Sequence, residues 1–264
     1  MPLQLPEPDR TPLPRSPLDL VVCQLRFETR PQVSEGQLAL SIHEALGGGD
    51  GRYPRLEQVQ AQAVGVTLGP GTPPAMNQMQ GQSGWRCQSA EGLWVVSLMP
   101  DHVALETTRY TEWDDFRERL HELLDATAEH IAPGVEQRLG LRYIDRISEV
   151  EARSPADWEP YLIRELLGLA LHDQLGAAVT TTRQQVLLDL GEGYSCAFTH
   201  GFLPGEDERL NYLLDYDLFR EGGRAFGVEA IKDALEVLSE DALKLFQASI
   251  TPALYDFFRE AVTA

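Results

Sequence analysis

Apolar residues recur at two periods along this chain, and the switch between them predicts the elements. From Leu18 to Phe27, Val21, Cys23, Leu25 and Phe27 alternate with Val22, Gln24 and Arg26, the period of a half-buried strand. Residues 58–68 alternate in the same way, and 69–84, rich in Gly, Pro and Gln, read as a loop. Residues 85–89, 93–99 and 102–110 are strands separated by AEG and PD turn signals, which predicts an antiparallel meander. Val135–Ile147 reads as one long strand, and 183–190, 194–203 and 209–219 as a further set.

The 3.6-residue period marks the helices. Ser34 is placed to cap a helix carrying Leu38, Ile42, Ala45 and Leu46, ended by the GGGDG run at 47–51. Residues 112–131 carry Trp113, Phe116, Leu120, Leu123, Leu124 and Ile131 on one stripe. Thr111 is the expected cap, with Glu112, Asp114 and Asp115 at the positive end of the helix dipole and Pro133–Gly134 as the stop. A further helix is predicted after Ser154, through Tyr161, Leu162, Leu166, Leu169 and Ala170. The C-terminus reads as three helical segments: Gly227–Leu238, one capped by Ser239, and one opened by Thr251–Pro252 with Leu254, Phe257 and Phe258.

This order predicts an α+β fold, antiparallel sheet with helices packed on one face. A meander followed by a long helix occurs twice, at 85–131 and 183–247, so two related halves, with separate sheets or one continuous saddle, are expected. The domain organisation that follows is a mobile Pro-rich arm (1–17), an α+β half (18–150) and a second α+β half with the terminal helices (151–264), the two halves forming either separate units or one compact domain.

Composition narrows the function classes. The 264 residues carry a formal charge of -19, which disfavours direct binding to nucleic acid or to anionic membranes. Only two lysines occur, Lys232 and Lys244, so the basic groups are nearly all arginine, suited to pairing with carboxylates. Cys23, Cys87 and Cys196 are far apart and odd in number, which fits a reducing cytoplasm; no basic-then-apolar leader and no run of membrane-spanning length is present. The GGGDG run lacks the Lys and Ser/Thr of a phosphate loop and reads as a flexible connector.

The stretch RLGLRYIDRI (138–147) carries the densest chemistry. At period two, Arg138, Gly140, Arg142, Ile144 and Arg146 share one face, and Leu139, Leu141, Tyr143, Asp145 and Ile147 the other. Three guanidiniums in a row need anions. Asp215 and Asp217 share a face of the strand at 209–219, and Glu106 and Tyr110 one face of the strand at 102–110, so a cross-strand salt-bridge network is the leading expectation. An anionic ligand or partner read by the arginines, and a hard cation held by Asp215, Asp217 and Glu106, are the alternatives. The six histidines, His43, His102, His121, His130, His172 and His200, lack metal-helix spacing and read as solvated or capping residues; no catalytic constellation and no cofactor motif is seen.

The segments PLDLVVCQLRF (17–27), LETTRYTEWDDF (105–116), RLGLRYIDRI (138–147), LLDYDLF (213–219) and FQASITPAL (246–254) are collinear with a known pattern. The chain resembles the sporadically distributed family of uncharacterised bacterial proteins of about this length with a central R-x-G-L-R-Y-[IV]-[ND]-R-I signature. Asp145 stands where that family more often has asparagine. The resemblance implies no defined activity; it implies an accessory gene setting, including mobile, defence and toxin–antitoxin clusters.

The function expected is therefore a cytoplasmic binding or regulatory protein working through a protein partner. The candidate residues are Arg138, Arg142, Arg146, Asp215, Asp217, Glu106 and Tyr110. An enzyme or small-anion binder using the same Arg/Asp face is the first alternative, and an acidic nucleic-acid mimic the second.

Overall fold

The computed structural model describes residues 4–60, 63–67, 75–79 and 82–260. In chain order the elements are β1 (Leu18–Phe27), α1 (Gly36–Ala45), β2 (Arg55–Gln60), β3 (Ala63–Thr67), β4 (Ala75–Met79), β5 (Ser83–Gln88), β6 (Trp94–Met99), β7 (His102–Thr107), α2 (Trp113–Ala126) and β8 (Val135–Ile147). There follow α3 (Arg164–Leu167), β9 (Gln184–Gly191), β10 (Tyr194–Pro204), β11 (Leu210–Ala225), α4 (Val228–Ser249) and α5 (Pro252–Arg259). Nine strands form one antiparallel sheet in the order β2-β5-β6-β7-β1-β8-β11-β10-β9, and β3 pairs with β4. The fold is α+β, as the alternation of periods predicts.

The sheet explains why meander-then-helix occurs twice. β1 is followed by a helix, then by β5–β7, and β7 returns to pair with β1 before α2 begins. β8 is followed by short helical turns, then by β9–β11, and β11 returns to pair with β8 before α4 begins. The two leading strands pair with each other at the centre, Cys23 opposite Leu141, so the two patterns share one continuous sheet. A boundary at 150 would separate β8 from β11, its most extensive partner, so the structural seam lies between β1 and β8.

One face of this sheet is the core. Val21, Cys23, Leu25, Leu139, Leu141, Leu214, Tyr216 and Leu218 are buried on it, as are Phe116, Leu120 and Leu124 of α2 and Ile231, Leu235 and Leu238 of α4. Burial of this apolar surface is the main term holding the layers together.

Local chemistry moves several element ends from where the sequence puts them. Ser34 does not cap α1; its hydroxyl donates to the Ser83 carbonyl (2.8 Å), and Glu35 occupies the cap position. Glu112, not Thr111, stands at the cap position of α2, and the helix closes through a π-helical turn at Thr127–Ile131 ending at left-handed Ala132 (φ 50). After Ser154 the expected helix is broken. Ser154 and Asp157 form a capping box, but Pro160 stops the chain after one 3-10 turn, and α3 spans four residues before Gly168 turns (φ 47). Ser239 is not a cap: α4 runs unbroken for 22 residues, because the buried stripe Leu235, Leu238, Ala242, Leu245 continues through it. Within 69–84, read as a loop, residues 75–79 and 83–84 are strand; 69–74 and 80–81 lie outside the described residues. The GGGDG run folds back as a tight turn, Gly47 and Gly49 at φ 75 and 71, with Gly48 bridged to Tyr53.

The arm, expected to be loose, is held. The Asp9 amide donates to Gln247 Oε1 (3.0 Å), Gln247 Nε2 donates to the Asp9 carbonyl (2.6 Å), and Arg10 pairs with Glu240 (3.2 Å). The Arg15 amide donates to the Phe258 carbonyl (3.1 Å), and its guanidinium lies over the Phe257 ring (4.9 Å). The prolines keep this segment extended, and α4 and α5 supply the partners it cannot find within itself.

Candidate functional site

Alternation along β8 places the arginines of the signature on the sheet face away from the helices. Their anions come from the neighbouring strands. Arg142 lies bidentate on Asp215, both contacts 2.7 Å; Arg138 donates to both oxygens of Asp217 (2.9 Å) and lies 3.4 Å from Glu221. Arg146 reaches to β1 and pairs with Asp19 (2.8 Å), which a bulge between Leu18 and Leu20 turns toward it. Register brings these charges together: Arg142 is directly opposite Asp217 and reaches Asp215 one diagonal step along β11, whereas Arg138 is opposite Glu221 and passes the Gly140–Phe219 pair to reach Asp217. Gly140 makes this geometry possible for Arg138. A Cβ there would collide with the Arg138 guanidinium, which crosses that empty space to reach Asp217 and to stack on Phe219 (4.7 Å).

The other candidates separate. Glu106 is opposite Val22, itself opposite Arg142, so it stands two strands from that arginine and takes no part in the network. Tyr110 does not share its face, because β7 ends at Thr107 and the chain turns toward the helices. Asp215 and Asp217 are each engaged by an arginine, and among the described residues no group of His, Cys, Asp and Glu is arranged to hold a metal ion. Carboxylates on this face alternate with guanidiniums rather than forming a continuous acidic row.

Two histidines depart from the solvated or capping reading. His43 is buried and its Nε2 lies 2.6 Å from the Tyr53 carbonyl, tying the GGGDG turn to α1. His200 is buried, stacks on Phe198 (4.9 Å) and bonds through Nδ1 to the Tyr212 hydroxyl (2.7 Å), which donates to the Leu166 carbonyl (3.0 Å). Burial pulls the His200 pKa down, so the neutral ring is the core form. A further ion pair, Arg220–Glu136, is bidentate at 2.7 Å and buried on both sides. Arg220 falls in the core-facing row of β11 with Leu214, Tyr216 and Leu218, whereas Glu136 shares the parity of the outward Arg138 and turns inward only through the register shift that sets it opposite Phe27, so strand alternation did not reveal the pair.

The helix side of the same signature encloses a cavity of about 200 Å³. Its inner wall is Tyr143, Asp145 and Tyr216 from the sheet and Ser239 and Phe246 from α4; Tyr110 and Trp113 close one side, and Arg10 to Leu13 of the arm lie across the outside. Tyr110 and Tyr143 meet edge to face (5.9 Å). The Tyr216 hydroxyl donates to Ser249 Oγ (2.8 Å), and the Trp113 indole to Glu236 (3.0 Å). Asp145 is 5% exposed. Burial and the nearby Asp19 and Asp215 carboxylates push its pKa up to about 8, and no hydrogen bond or cation among the described residues offsets them. A charged residue type in the core-facing row Leu139, Leu141, Tyr143, Asp145, Ile147 was the sequence signal for this site, and the partner-seeking arginines of the opposite face drew attention from it.

Among the described residues, no helix is long and apolar enough to cross a membrane, and Cys23, Cys87 and Cys196 are free and buried. No protein-family model matches the chain, and no curated protein matches it.

Proposed function

We propose that this is a cytoplasmic bacterial binding protein that regulates a basic protein partner, and that the partner adds an extended segment to the free edge of β9. The observation that carries this reading is the composition of that edge. Sheet edges are usually blunted by charge, proline or bulges, because their unpaired amides template association. β9 is Gln-Gln-Val-Leu-Leu-Asp-Leu-Gly, with one charge and no proline, and Val186 and Leu187 are 43% and 70% exposed. At the opposite edge, β2 carries Arg55 and Glu57. An added strand would gain main-chain hydrogen bonds along eight residues and apolar contact with Leu187.

Charge supports the choice of partner. An excess of 19 negative charges steers basic surfaces toward the chain and repels acidic ones. Against the small-anion reading stands the pairing of Arg138, Arg142 and Arg146, each of which holds a carboxylate. Membership of the sporadically distributed family that the central signature resembles, and with it an accessory or toxin–antitoxin gene setting, is part of the same proposal.

The test is affinity purification from the native host with the wild-type chain and with a Val186→Lys/Leu187→Lys variant, followed by hydrogen exchange on the recovered complex. A stoichiometric basic protein lost by the variant, with slowed exchange over 184–191, is the expected result. Recovery by both chains alike, protection elsewhere, or a wild-type chain that recovers nothing overturns it.

A further inference from the structure

We infer that the cavity between β8, β11, α4 and the N-terminal arm is a binding site for a small primary amine carried on one apolar ring or short branched chain. The site is independent of the β9 edge and lies on the other side of the signature strand from the arginines.

The argument begins with the unpaired carboxyl. A buried polar group without a partner is costly, and a buried carboxyl facing a cavity asks for a donor or a cation. Asp145 lines the cavity, is nearly inaccessible and has no counter-charge there. The groups around it are accounted for from every side. β1 contributes Asp19 and β11 contributes Asp215, both committed to arginines on the opposite face; β11 also presents Tyr216, whose hydroxyl is spent on Ser249. Tyr110 follows β7, α4 offers the Ser239 hydroxyl, α2 begins at Glu112, and the arm brings Asp9 and Arg10, with Arg10 held by Glu240. Among the described residues that line the cavity, no cation is free to serve Asp145.

The remaining wall defines the ligand. Tyr110, Tyr143, Trp113, Tyr216 and Phe246 bring aromatic surface to the cavity, and aromatic rings favour a cation over an anion. An acidic ligand would find no counter-charge, since Arg10 is the one cation among the described lining residues and is held by Glu240. The volume lies between the benzene-sized cavities of roughly 150 Å³ and the pockets of roughly 300 Å³ or more that take drug-sized molecules. An ammonium at Asp145 with its apolar body among the rings satisfies each constraint. The carboxyl, protonated while the site is empty, passes its proton to solvent as the ammonium arrives.

Calorimetric titration of the full chain with benzylamine and cyclohexylamine tests this, with benzyl alcohol and benzoate as neutral and anionic counterparts. The amines should bind and their counterparts should not. Repeated at pH 6 in buffers of different ionisation enthalpy, amine binding should release close to one proton. Asp145→Asn keeps the shape and should weaken the amines about 100-fold, the loss expected for a buried charge-assisted pair. The release measurement uses the wild-type chain and so stands even if the variant folds poorly. Amines that bind no better than benzyl alcohol, binding without proton release, or an unchanged affinity in Asp145→Asn overturns the assignment.

Discussion

A carboxyl that folding strips of water and gives no counter-charge holds its proton, and the protein's stability then depends on that proton. Asp145 titrates near 8 in the fold and near the ordinary 3.8 when the chain is unfolded. Between these values the native state binds a proton that the unfolded state has released. The contribution is therefore complete below about pH 4, falls as pH rises, and is spent above about pH 8. The slope is at most about 1.4 kcal/mol per pH unit. Ordinary paired acids such as Asp101 and Glu118, whose pKa values are lowered, act in the opposite direction and at lower pH. Urea denaturation from pH 5 to 8 should show wild-type stability falling relative to Asp145→Asn, with the variant gaining most at the alkaline end. Parallel curves would mean that Asp145 is ionised in the native state. The alternation of β8 revealed that Asp145 faces the core; that its surroundings would supply no donor depended on how α4 and the arm close over it, which no local pattern encodes.

At the scale of the element, β8 is a strand with two different jobs on its two faces, and the glycine in its signature belongs to the outer one. Glycine within a strand ordinarily costs about 0.5–1 kcal/mol relative to alanine. Here its missing Cβ is where the Arg138 guanidinium lies on its way to Asp217 and Phe219. Gly140→Ala should therefore destabilise the wild type by about 0.5–1 kcal/mol, because the displaced arginine loses an ion pair and a ring contact. In an Arg138→Met background the same substitution should stabilise by a similar amount. A denaturation double-mutant cycle reads this change of sign directly; Gly140→Ala acting alike in both backgrounds would show that the close approach carries no energy. The strand and the shared face of its arginines were readable from period two alone. Their partners were only half readable: Asp215 and Asp217 share a face in sequence, but Asp19 reaches Arg146 only through a bulge, and Glu106 missed the network because two strands intervene. The helices taught the complementary lesson. Stripes placed α2 and the start of α4, whereas α4 was divided in two at Ser239 and the candidate caps Ser34, Thr111 and Ser239 failed, since a hydroxyl residue near an apolar run can equally donate to a strand or face a cavity.

For the whole molecule, the doubled pattern poses a question of cooperativity. Two meander-and-helix units suggest two foldable halves, yet their leading strands pair with each other and a single apolar cluster runs through both. Neither half could keep its central strand covered alone, because β1 or β8 would become a bare edge beside an exposed core face. The repeat was visible in the order of elements, but the joining was not, since the sequence separation of β1 and β8 hides their pairing. The three thiols sample this sheet from side to side: Cys87 on β5, Cys23 on β1 and Cys196 on β10, all buried, with burial pushing each pKa up to about 12. Buried and protonated, they are inert toward thiol reagents until the local structure opens. Labelling in a urea series, resolved by peptide mass spectrometry, should expose all three along one curve that coincides with the loss of far-ultraviolet ellipticity. If Cys196 reacts at lower urea than Cys23 and Cys87, the second unit unfolds on its own, and the sheet is two domains laid edge to edge rather than one cooperative saddle.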